Sequence, residues 1–255
     1  MPALHPDFLR IPLAHRAYHS RGEGRPENSI EAVRAAINAG YGIELDIQPS
    51  ADGVPMVFHD YALERLTGKT GKITDLSAKA LADLPLLGGR EGVPLLARVL
   101  AEVAGRVPML IEIKDQSGAN GPEVGALEAA VAAALRGYAG PVAVMSFNPH
   151  SVAAFRAAAP DVAAGLTTAA YLPEDYPELL GAVCDHLRDI RDYDRVGASF
   201  ISHEAADLAR PQVAELKARG AAVLCWTIRS PEAEAQARRV ADNITFEGYA
   251  AAKHA

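Results

Sequence analysis

The sequence predicts an α/β protein built as a (β/α)8 TIM barrel, and three observations support this fold class. Its 255 residues match the usual size of such a barrel. Short apolar, β-branched segments alternate with segments of helical periodicity. Several apolar segments end in ionisable side chains, at the strand ends where parallel α/β folds carry their chemistry. We therefore expect a single domain over 1–255.

Eight segments have the strand pattern, and they begin at Ile11, Gly42, Met109, Pro141, Val162, Val196, Ala221 and Asp242. A count of eight favours a closed parallel barrel over an open sheet. The first helix follows Pro26, with Asn28 or Ser29 as its N-cap and Gly40 at its end. The later helical segments are expected over 95–104, 123–135, 149–158, 173–188, 206–219 and 233–239.

Residues 49–92 interrupt this alternation after the second strand. The segment contains an Asp52-Gly53 turn signal, a short strand that ends at His59, and a polar stretch with one short helix. A regular βα unit does not need this many residues. We therefore expect 49–92 to be a small inserted flap over the barrel mouth, with a surface excursion of no consequence as the alternative.

The composition excludes several classes of protein. A net charge of −7 argues against nucleic acid as a partner and means that any anion site needs local cations. Two cysteines make neither a disulfide framework nor a zinc cluster, which favours a reducing compartment. We find no signal-peptide pattern and no apolar run long enough for an integral membrane span. We expect a cytoplasmic protein with a small-molecule substrate, and a homodimer stays open.

Two strands carry charges near their carboxyl ends. Glu44 and Asp46 are two residues apart, so in a strand they point to the same face, and Glu112 and Lys114 repeat this spacing. Like charges side by side at the end of an apolar strand are costly to bury. A hard divalent cation with oxygen ligands removes that cost, whereas a solvated strand end is the simpler alternative.

Two further strands end in a histidine. His15 and Arg16 end the first apolar segment, and His59 ends the short strand that begins at Pro55. If the barrel forms, both histidines, the acids and Lys114 converge on one rim. A lone histidine at a strand end is usually structural or solvated, but two after similar strands favour a shared role.

Seven short motifs occur in the order His15-Arg16, Pro26-Glu27-Asn28-Ser29, Glu44-Leu45-Asp46, Phe58-His59-Asp60, Glu112-Ile113-Lys114, Ser146-Phe147 and Trp226-Thr227. Each motif is weak alone. The ordered set resembles the motif series of the glycerophosphodiester phosphodiesterase family, over nearly the whole chain. The resemblance implies hydrolysis of glycerophosphodiesters, which are deacylated phospholipids, to an alcohol and sn-glycerol 3-phosphate through a cyclic phosphate.

By this resemblance, Glu44, Asp46 and Glu112 would ligate a metal ion. An all-carboxylate set suits Mg²⁺ or Ca²⁺ and argues against zinc or copper. His15 and His59 would be the general acid and base, since a histidine pKa near 6.5 serves both tasks. Which histidine acts first as the base is not determined by the sequence.

Six residues are predicted to bind the substrate, and they are Arg16, Lys114 and Glu27 by the resemblance and Phe147, His203 and Trp226 by their positions at strand ends. Arg16 and Lys114 would hold phosphate charge, and Phe147 and Trp226 would wall the alcohol pocket. His203 would contact a substrate hydroxyl. The structural alternatives are an ion pair for Lys114 and ordinary core burial for Trp226.

Glu27 would orient His15 or Arg16, and its alternative is a plain acid in the first turn of a helix. One departure from the family pattern follows His15-Arg16, where the family usually has Gly and this chain has Ala17. Alanine adopts positive φ less freely than glycine. We therefore expect the first loop to approach the phosphate differently, with an effect on substrate preference.

Two rival functions remain at this point. A related barrel phosphodiesterase, or a phospholipase D-like enzyme, would act on a lysophospholipid, sphingolipid or phosphoinositol head group. Such a lipid substrate predicts an exposed apolar rim on the flap, whereas residues 61–92 are polar. A non-catalytic barrel that binds a phosphorylated ligand would be favoured by loss of a histidine or a metal acid, and all are present.

Overall fold

A computed structural model describes residues 2–253. The strands are β1 (Leu13–Ala14), β2 (Gly42–Pro49), β3 (Pro55–Val57), β4 (Met109–Ile113), β5 (Val142–Ser146), β6 (Ala163–Thr168), β7 (Phe200–Glu204), β8 (Ala222–Ile228) and β9 (Asn243–Phe246). The α-helices are α1 (Asp7–Arg10), α2 (Ile30–Ala39), α3 (Glu64–Thr67), α4 (Ala78–Ala82), α5 (Leu96–Val103), α6 (Ala126–Leu135), α7 (Pro149–Ala158), α8 (Gly181–Arg188), α9 (Asp192–Val196), α10 (Pro211–Ala218) and α11 (Pro231–Ala237).

Eight parallel strands form a closed barrel, which confirms the predicted fold class. The order is β1-β2-β4-β5-β6-β7-β8-β9, and β1 pairs with both β2 and β9 to close it. The remaining strand, β3, lies antiparallel to the end of β2. The pairing of β2 with β4 places Asp46 directly beside Glu112.

Alternation along the strands decides which side chains enter the barrel. Leu13, Leu110, Phe200 and Leu224 face inward and pack with Phe8 of α1 in one buried cluster. Outward-facing apolar residues of the same strands pack against the surrounding helices in the largest cluster. Because successive side chains alternate, the inward positions next towards the carboxyl ends are occupied by the polar residues of the cleft.

Gly42 shows how closely the interior is packed below the acids. A Cβ atom at this position would lie 2.5 Å from a methyl group of Leu13 and 2.9 Å from the ring of Pro108. Both contacts are shorter than carbon atoms tolerate. Any larger residue at Gly42 would therefore displace Leu13 and disturb the base on which Glu44 stands.

Residues 49–92 contain β3, α3 and α4 and have a small core of their own. This core includes Met56, Phe58, Leu63, Ile73 and Leu81. The antiparallel pairing of β3 with β2 is one of its attachments to the barrel. That these residues act as a flap stays a prediction.

The sixth predicted strand was expected to begin at Val196, and this starting residue was wrong. Val196 is the last residue of α9, and Gly197 ends that helix in a left-handed conformation with φ 62°. The strand β7 begins only at Phe200. Apolar runs that cross a helix end and a strand start look continuous in the sequence, so the boundary was missed.

No helix within residues 2–253 has the length and apolar character that a membrane crossing requires.

Candidate active site

A cavity of about 200 Å³ lies at the carboxyl ends of the strands. Its lining includes the predicted residues His15, Arg16, Glu44, Asp46, His59, Glu112, Lys114, Phe147 and Trp226. Side chains on or directly after six barrel strands (β1, β2, β4, β5, β8 and β9) reach the cavity. Their inward positions continue upward from the buried cluster, as Lys114 follows Leu110 and Glu112 of β4. The structure thus brings together most of the residues that the sequence predicted for one rim.

Three carboxylates form a buried group at the centre of the cavity. Glu44, Asp46 and Glu112 each offer an oxygen, and these oxygens lie within 4.8 Å of one another. Burial and the two neighbouring carboxylates raise the pKa of Glu44 well above its ordinary value. Hard oxygen donors gathered in this way fit a divalent cation, which would relieve the repulsion that raises this pKa.

Lys114 bridges two of these acids. Its ammonium nitrogen lies 2.9 Å from Oδ1 of Asp46 and 2.5 Å from Oε1 of Glu112. Lys114 is itself deeply buried, which opposes its charge, yet these two carboxylates together raise its pKa. Lys114 therefore makes the ion pair that was the structural alternative, and it also lines the cavity.

The loop after β1 wraps around Glu44 through its backbone. The N–H of Arg16 donates to Oε2 of Glu44 at 2.9 Å, and the N–H of Ala17 donates to the Glu44 carbonyl at 2.9 Å. Arg16 and Ala17 both have positive φ, 52° and 65°. Ala17 therefore adopts the left-handed conformation that glycine favours, at a cost of roughly 1–2 kcal/mol.

Glu27 orients Arg16 rather than His15. Oε1 of Glu27 accepts a hydrogen bond from Nη1 of Arg16 at 2.8 Å, and Glu27 also pairs with Arg65 of α3. Asn28 follows with φ 59°, and its amide donates to Oδ2 of Asp46 at 2.9 Å. Ser29 is the N-cap of α2, which leaves the Asn28 side chain free for this contact.

His15 is held by a carboxylate that the sequence reading missed. Nδ1 of His15 lies 2.6 Å from Oε2 of Glu247, which directly follows β9. Burial lowers the pKa of His15 below 6.5, although the hydrogen bond to Glu247 acts in the opposite direction. The hydrogen bond from His15, with the His19 ring nitrogen 3.7 Å away, holds the pKa of Glu247 well below its ordinary value. Glu247 shares the inward face with Thr245, so strand alternation carried a signal for it.

His59 has the equivalent contact within the inserted segment. Its Nδ1 lies 2.7 Å from Oδ1 of Asp60, and Arg65 binds the same carboxylate through Nε at 2.6 Å and Nη2 at 2.8 Å. Burial opposes ionisation of Asp60, but the contacts with His59 and Arg65 outweigh it and lower the pKa. Within residues 2–253, neither His15 nor His59 has a hydrogen-bond partner at Nε2.

The structure corrects the prediction for His203, which does not line the cavity where it was expected to contact a substrate hydroxyl. His203 is fully buried, with Nδ1 2.8 Å from Oγ1 of Thr168 and Nε2 3.2 Å from Asp207. Phe200 and Ser202 of β7 face inward, so alternation turns His203 outward to the helices, away from the cavity. The position of His203 at a strand end suggested a place in the site, but strand alternation puts its side chain on the opposite face.

Phe147 and Trp226 stand on the cavity wall, as predicted. Their rings meet edge to face with centroids 5.5 Å apart, and the indole N–H donates to the Ser202 carbonyl at 3.0 Å. Arg229 also lines the cavity and pairs with Glu247 at 2.7 Å. Arg229 and Arg65 lie outside the recognised motifs, on a loop and on the inserted segment, so no strand pattern pointed to them.

Comparisons with known proteins agree with this geometry. The model of the glycerophosphoryl diester phosphodiesterase family matches residues 15–244. A putative glycerophosphodiester phosphodiesterase of Bacillus subtilis is 25% identical over 88% of this chain and 88% of its own length. Glycerophosphodiester phosphodiesterase 1 of Bos taurus is 34% identical over 40% of this chain, a match that spans 33% of the bovine protein.

Solved structures share the fold. A phosphodiesterase of Oleispira antarctica, solved in complex with its product sn-glycerol-3-phosphate, superposes with a TM-score of 0.74 at 24% identity, covering 94% of this chain and 93% of that one. A glycerophosphodiester phosphodiesterase of Thermotoga maritima gives 0.70 at 22% identity, with 92% and 94% covered.

The fold and site thus define a parallel barrel with an acidic, histidine-flanked cleft at its carboxyl end. The family match covers most of the chain, and the chain belongs to the glycerophosphodiester phosphodiesterase family. The resemblance stated from the sequence motifs is confirmed.

Proposed function

We propose that this protein hydrolyses glycerophosphodiesters to an alcohol and sn-glycerol 3-phosphate, with a divalent cation and two histidines. The observation that carries the proposal is one cavity lined by the three buried acids and by His15 and His59. The relatives named above support it, since each is described as a phosphodiesterase.

Glu44, Asp46 and Glu112 would hold the cation, either Mg²⁺ or Ca²⁺. When bound, the cation supplies neutralisation of phosphoryl charge and lowers the pKa of an oxygen nucleophile. Arg16 and Lys114 would hold the remaining phosphate oxygens, because both line the cavity and carry positive charge.

The two histidines would move the protons of the reaction. The glycerol hydroxyl next to the phosphoester oxygen attacks phosphorus and gives its proton to Nε2 of one histidine. The other histidine gives a proton to the leaving alcohol oxygen as the old bond breaks, which leaves a cyclic phosphate. Water then opens this ring with the two roles reversed, so the histidines return to their starting states.

The carboxylates behind the histidines fix their orientation. Glu247 and Asp60 each contact Nδ1, at 2.6 and 2.7 Å, so Nε2 is left for the substrate. An anionic partner at Nδ1 also stabilises the imidazolium that forms during proton transfer. The same contact therefore serves either role, and the assignment of acid and base stays open.

Product identity tests this proposal. We expect incubation with glycerophosphocholine to release choline and sn-glycerol 3-phosphate, followed by phosphorus NMR and an enzymatic assay for each product. Release of glycerol and phosphocholine would place cleavage at the other phosphoester bond and contradict the proposal. Absence of turnover across choline, ethanolamine, glycerol and inositol diesters would contradict it as well.

One observation keeps a lipid substrate as the second candidate. Leu172 and Leu180 are exposed, Leu180 by 76%, at the two ends of the loop whose Tyr176 and Leu179 line the outer part of the cleft. Exposed apolar side chains beside a cleft can meet an acyl chain. Lysophosphatidylcholine in the same assay distinguishes the two candidates, since the first proposal predicts a clear preference for the deacylated diester.

The cytoplasmic location and the homodimer remain predictions.

A further inference from the structure

The cleft has a second, larger lobe outside the catalytic cavity. This outer lobe has a volume of about 760 Å³ and shares His59, Glu112, Lys114 and Phe147 with the inner cavity of about 200 Å³. A phosphate at the shared wall would therefore direct one ester arm into each lobe. The glycerol arm is small and constant, which suits the inner cavity, so the outer lobe is left for the alcohol that varies.

Three aromatic rings, of Tyr61, Phe147 and Tyr176, line the outer lobe, and each ring is held in place. Phe147 packs on Trp226, and the ring of Tyr176 lies 4.8 Å from the ring of Tyr171. Tyr61 donates its hydroxyl to the Asp115 carbonyl at 2.7 Å. Ring faces attract cations, by roughly 0.5–2 kcal/mol each depending on desolvation.

The carboxylates of the lobe differ in how they are neutralised. Asp60 is bound by Arg65, and Glu112 is bound by Lys114. Within residues 2–253, Asp115 and Glu178 have no Lys, Arg or His nitrogen within ion-pair distance. Asp115 is satisfied only by neutral donors, which are the Asn148 amide, the Ser117 hydroxyl and backbone N–H groups.

Further carboxylates lie near Tyr176. Burial and the nearby carboxylates of Glu204, Asp175, Glu112 and Glu178 together raise the pKa of this phenol far above its ordinary value. A negative field around aromatic faces favours a positively charged group over a neutral alcohol of the same size.

We propose that the outer lobe binds a cationic leaving alcohol, an alkylammonium alcohol such as choline or ethanolamine, between Tyr61, Phe147 and Tyr176 and beside Asp115 and Glu178. This inference rests on the proposed function for the identity of the phosphate arm. It adds a substrate class: diesters with an ammonium head group over diesters with a glycerol or inositol head group.

The first test compares kcat/KM for glycerophosphocholine with kcat/KM for glycerophosphoglycerol. We expect a ratio of roughly ten or more in the wild type, and a ratio lowered by about threefold to tenfold in Glu178→Gln. Glu174→Gln, on the same loop but outside the lobe, is the matched control and should keep the wild-type ratio. Tyr176→Leu should lower the ratio, whereas Tyr176→Phe, which keeps the ring, should preserve it.

The second test measures binding without turnover, so it separates this inference from the proposed function. Choline chloride and 3,3-dimethyl-1-butanol, its uncharged isostere, are titrated into the protein and followed by ligand-observed NMR. We expect choline to bind more tightly, with the difference reduced in Glu178→Gln and weakened by added salt.

The outer-lobe inference would be overturned if the ratio of kcat/KM for glycerophosphocholine to kcat/KM for glycerophosphoglycerol were near one and unchanged in Glu178→Gln. Diester hydrolysis itself would still stand. Equal binding of choline and its isostere would overturn it even if no diester is turned over. Selective, Glu178-dependent choline binding with no hydrolysis of any diester would instead support the lobe and contradict the proposed function.

Discussion

In both halves of the cleft a carboxylate contacts Nδ1 of the histidine, but one pair lies on barrel strands and the other on the inserted segment. His15 lies at the end of β1 and is braced by Glu247 at the end of β9, so both residues stand on neighbouring barrel strands. His59 follows β3 and is braced by Asp60 and Arg65, all within residues 49–92. The His15 side chain is 15% exposed and the His59 side chain is 31% exposed.

The difference shows how an inserted segment becomes part of a barrel site. Arg65 binds Asp60 behind His59 and also binds Glu27 with two hydrogen bonds of 2.7 Å. Glu27 in turn holds Arg16 of the barrel loop. The Arg65 guanidinium is therefore one of the contacts that join the inserted segment to the barrel, whereas the Glu247 contact stays within the barrel. Substitutions in the two halves should consequently fail in different ways.

The largest effect is expected for the histidines themselves. His15→Asn and His59→Asn should each lower kcat for glycerophosphocholine by about 10²–10⁴, since each removes a proton-transfer group. Thermal unfolding should show both variants folded, and His5→Asn, at an exposed position, is the matched control. Wild-type turnover in either variant would remove that histidine from the mechanism.

Arg65 should give the next largest effect, although it contacts none of the three proposed metal ligands and does not line the inner cavity. Arg65→Ala should lower kcat by roughly tenfold to hundredfold, because His59 and Arg16 both lose orientation. Arg65→Lys should recover only part, since an ammonium cannot make the paired contacts of the planar guanidinium. Arg34→Ala, which breaks an exposed ion-pair cluster with Glu91 and Glu102, is the control.

If Arg65 only stabilises the inserted segment, its loss should lower the free energy of unfolding with little change in kcat of the folded enzyme. A pH–rate profile of kcat separates the two roles. A shifted profile in Arg65→Ala indicates that His59 is affected, while an unchanged profile contradicts the positioning role.

Glu247→Gln tests the barrel half through the pKa of His15. Burial already lowers this pKa below 6.5, and the Glu247 contact raises it towards its ordinary value. Removing the negative charge should therefore lower the His15 pKa further, measured by NMR titration of the imidazole signals. His59 shares no contact with Glu247, so its titration provides an internal control. A rise in the His15 pKa would contradict the arrangement.

The smallest effect concerns stability in acid and belongs to the inserted half. The pKa of Asp60 is lower in the folded chain than its ordinary value, so its charge stabilises the fold above about pH 4. That contribution is lost as the pH falls towards the folded-state pKa. Urea unfolding of wild type and Asp60→Asn should show a difference at pH 6 that narrows at pH 3. A difference independent of pH would contradict the ion pair.

The sequence alone predicted the barrel and most of the cleft because both follow from strand alternation. Glu44, Asp46, Glu112 and Lys114 stand at inward positions on two strands, so their convergence required only the fold. Glu247 obeys the same rule and was missed because its strand carries no recognised motif. His203 was misplaced for the opposite reason, since it has the right residue type on the outward face.

Arg65 was beyond the reach of such reasoning. It lies on the short helix α3, and its contacts depend on how the inserted segment folds back over the barrel. No periodicity encodes that tertiary arrangement. The positive φ of Arg16 and Asn28 was equally hidden, because the left-handed conformation is common only for glycine, and at Ala17 the only sign of it was the glycine usual in the family.

The central claim is that Glu44, Asp46 and Glu112 bind the divalent cation beside which both histidines act. The most direct measurement is turnover of glycerophosphocholine by protein stripped with EDTA, followed against added Mg²⁺ and, separately, Ca²⁺. We predict negligible turnover in the stripped protein, saturable recovery with at least one of the two ions, and a severe loss of that recovery in Glu112→Gln. Turnover that chelation leaves untouched, or full recovery in Glu112→Gln, would contradict the account.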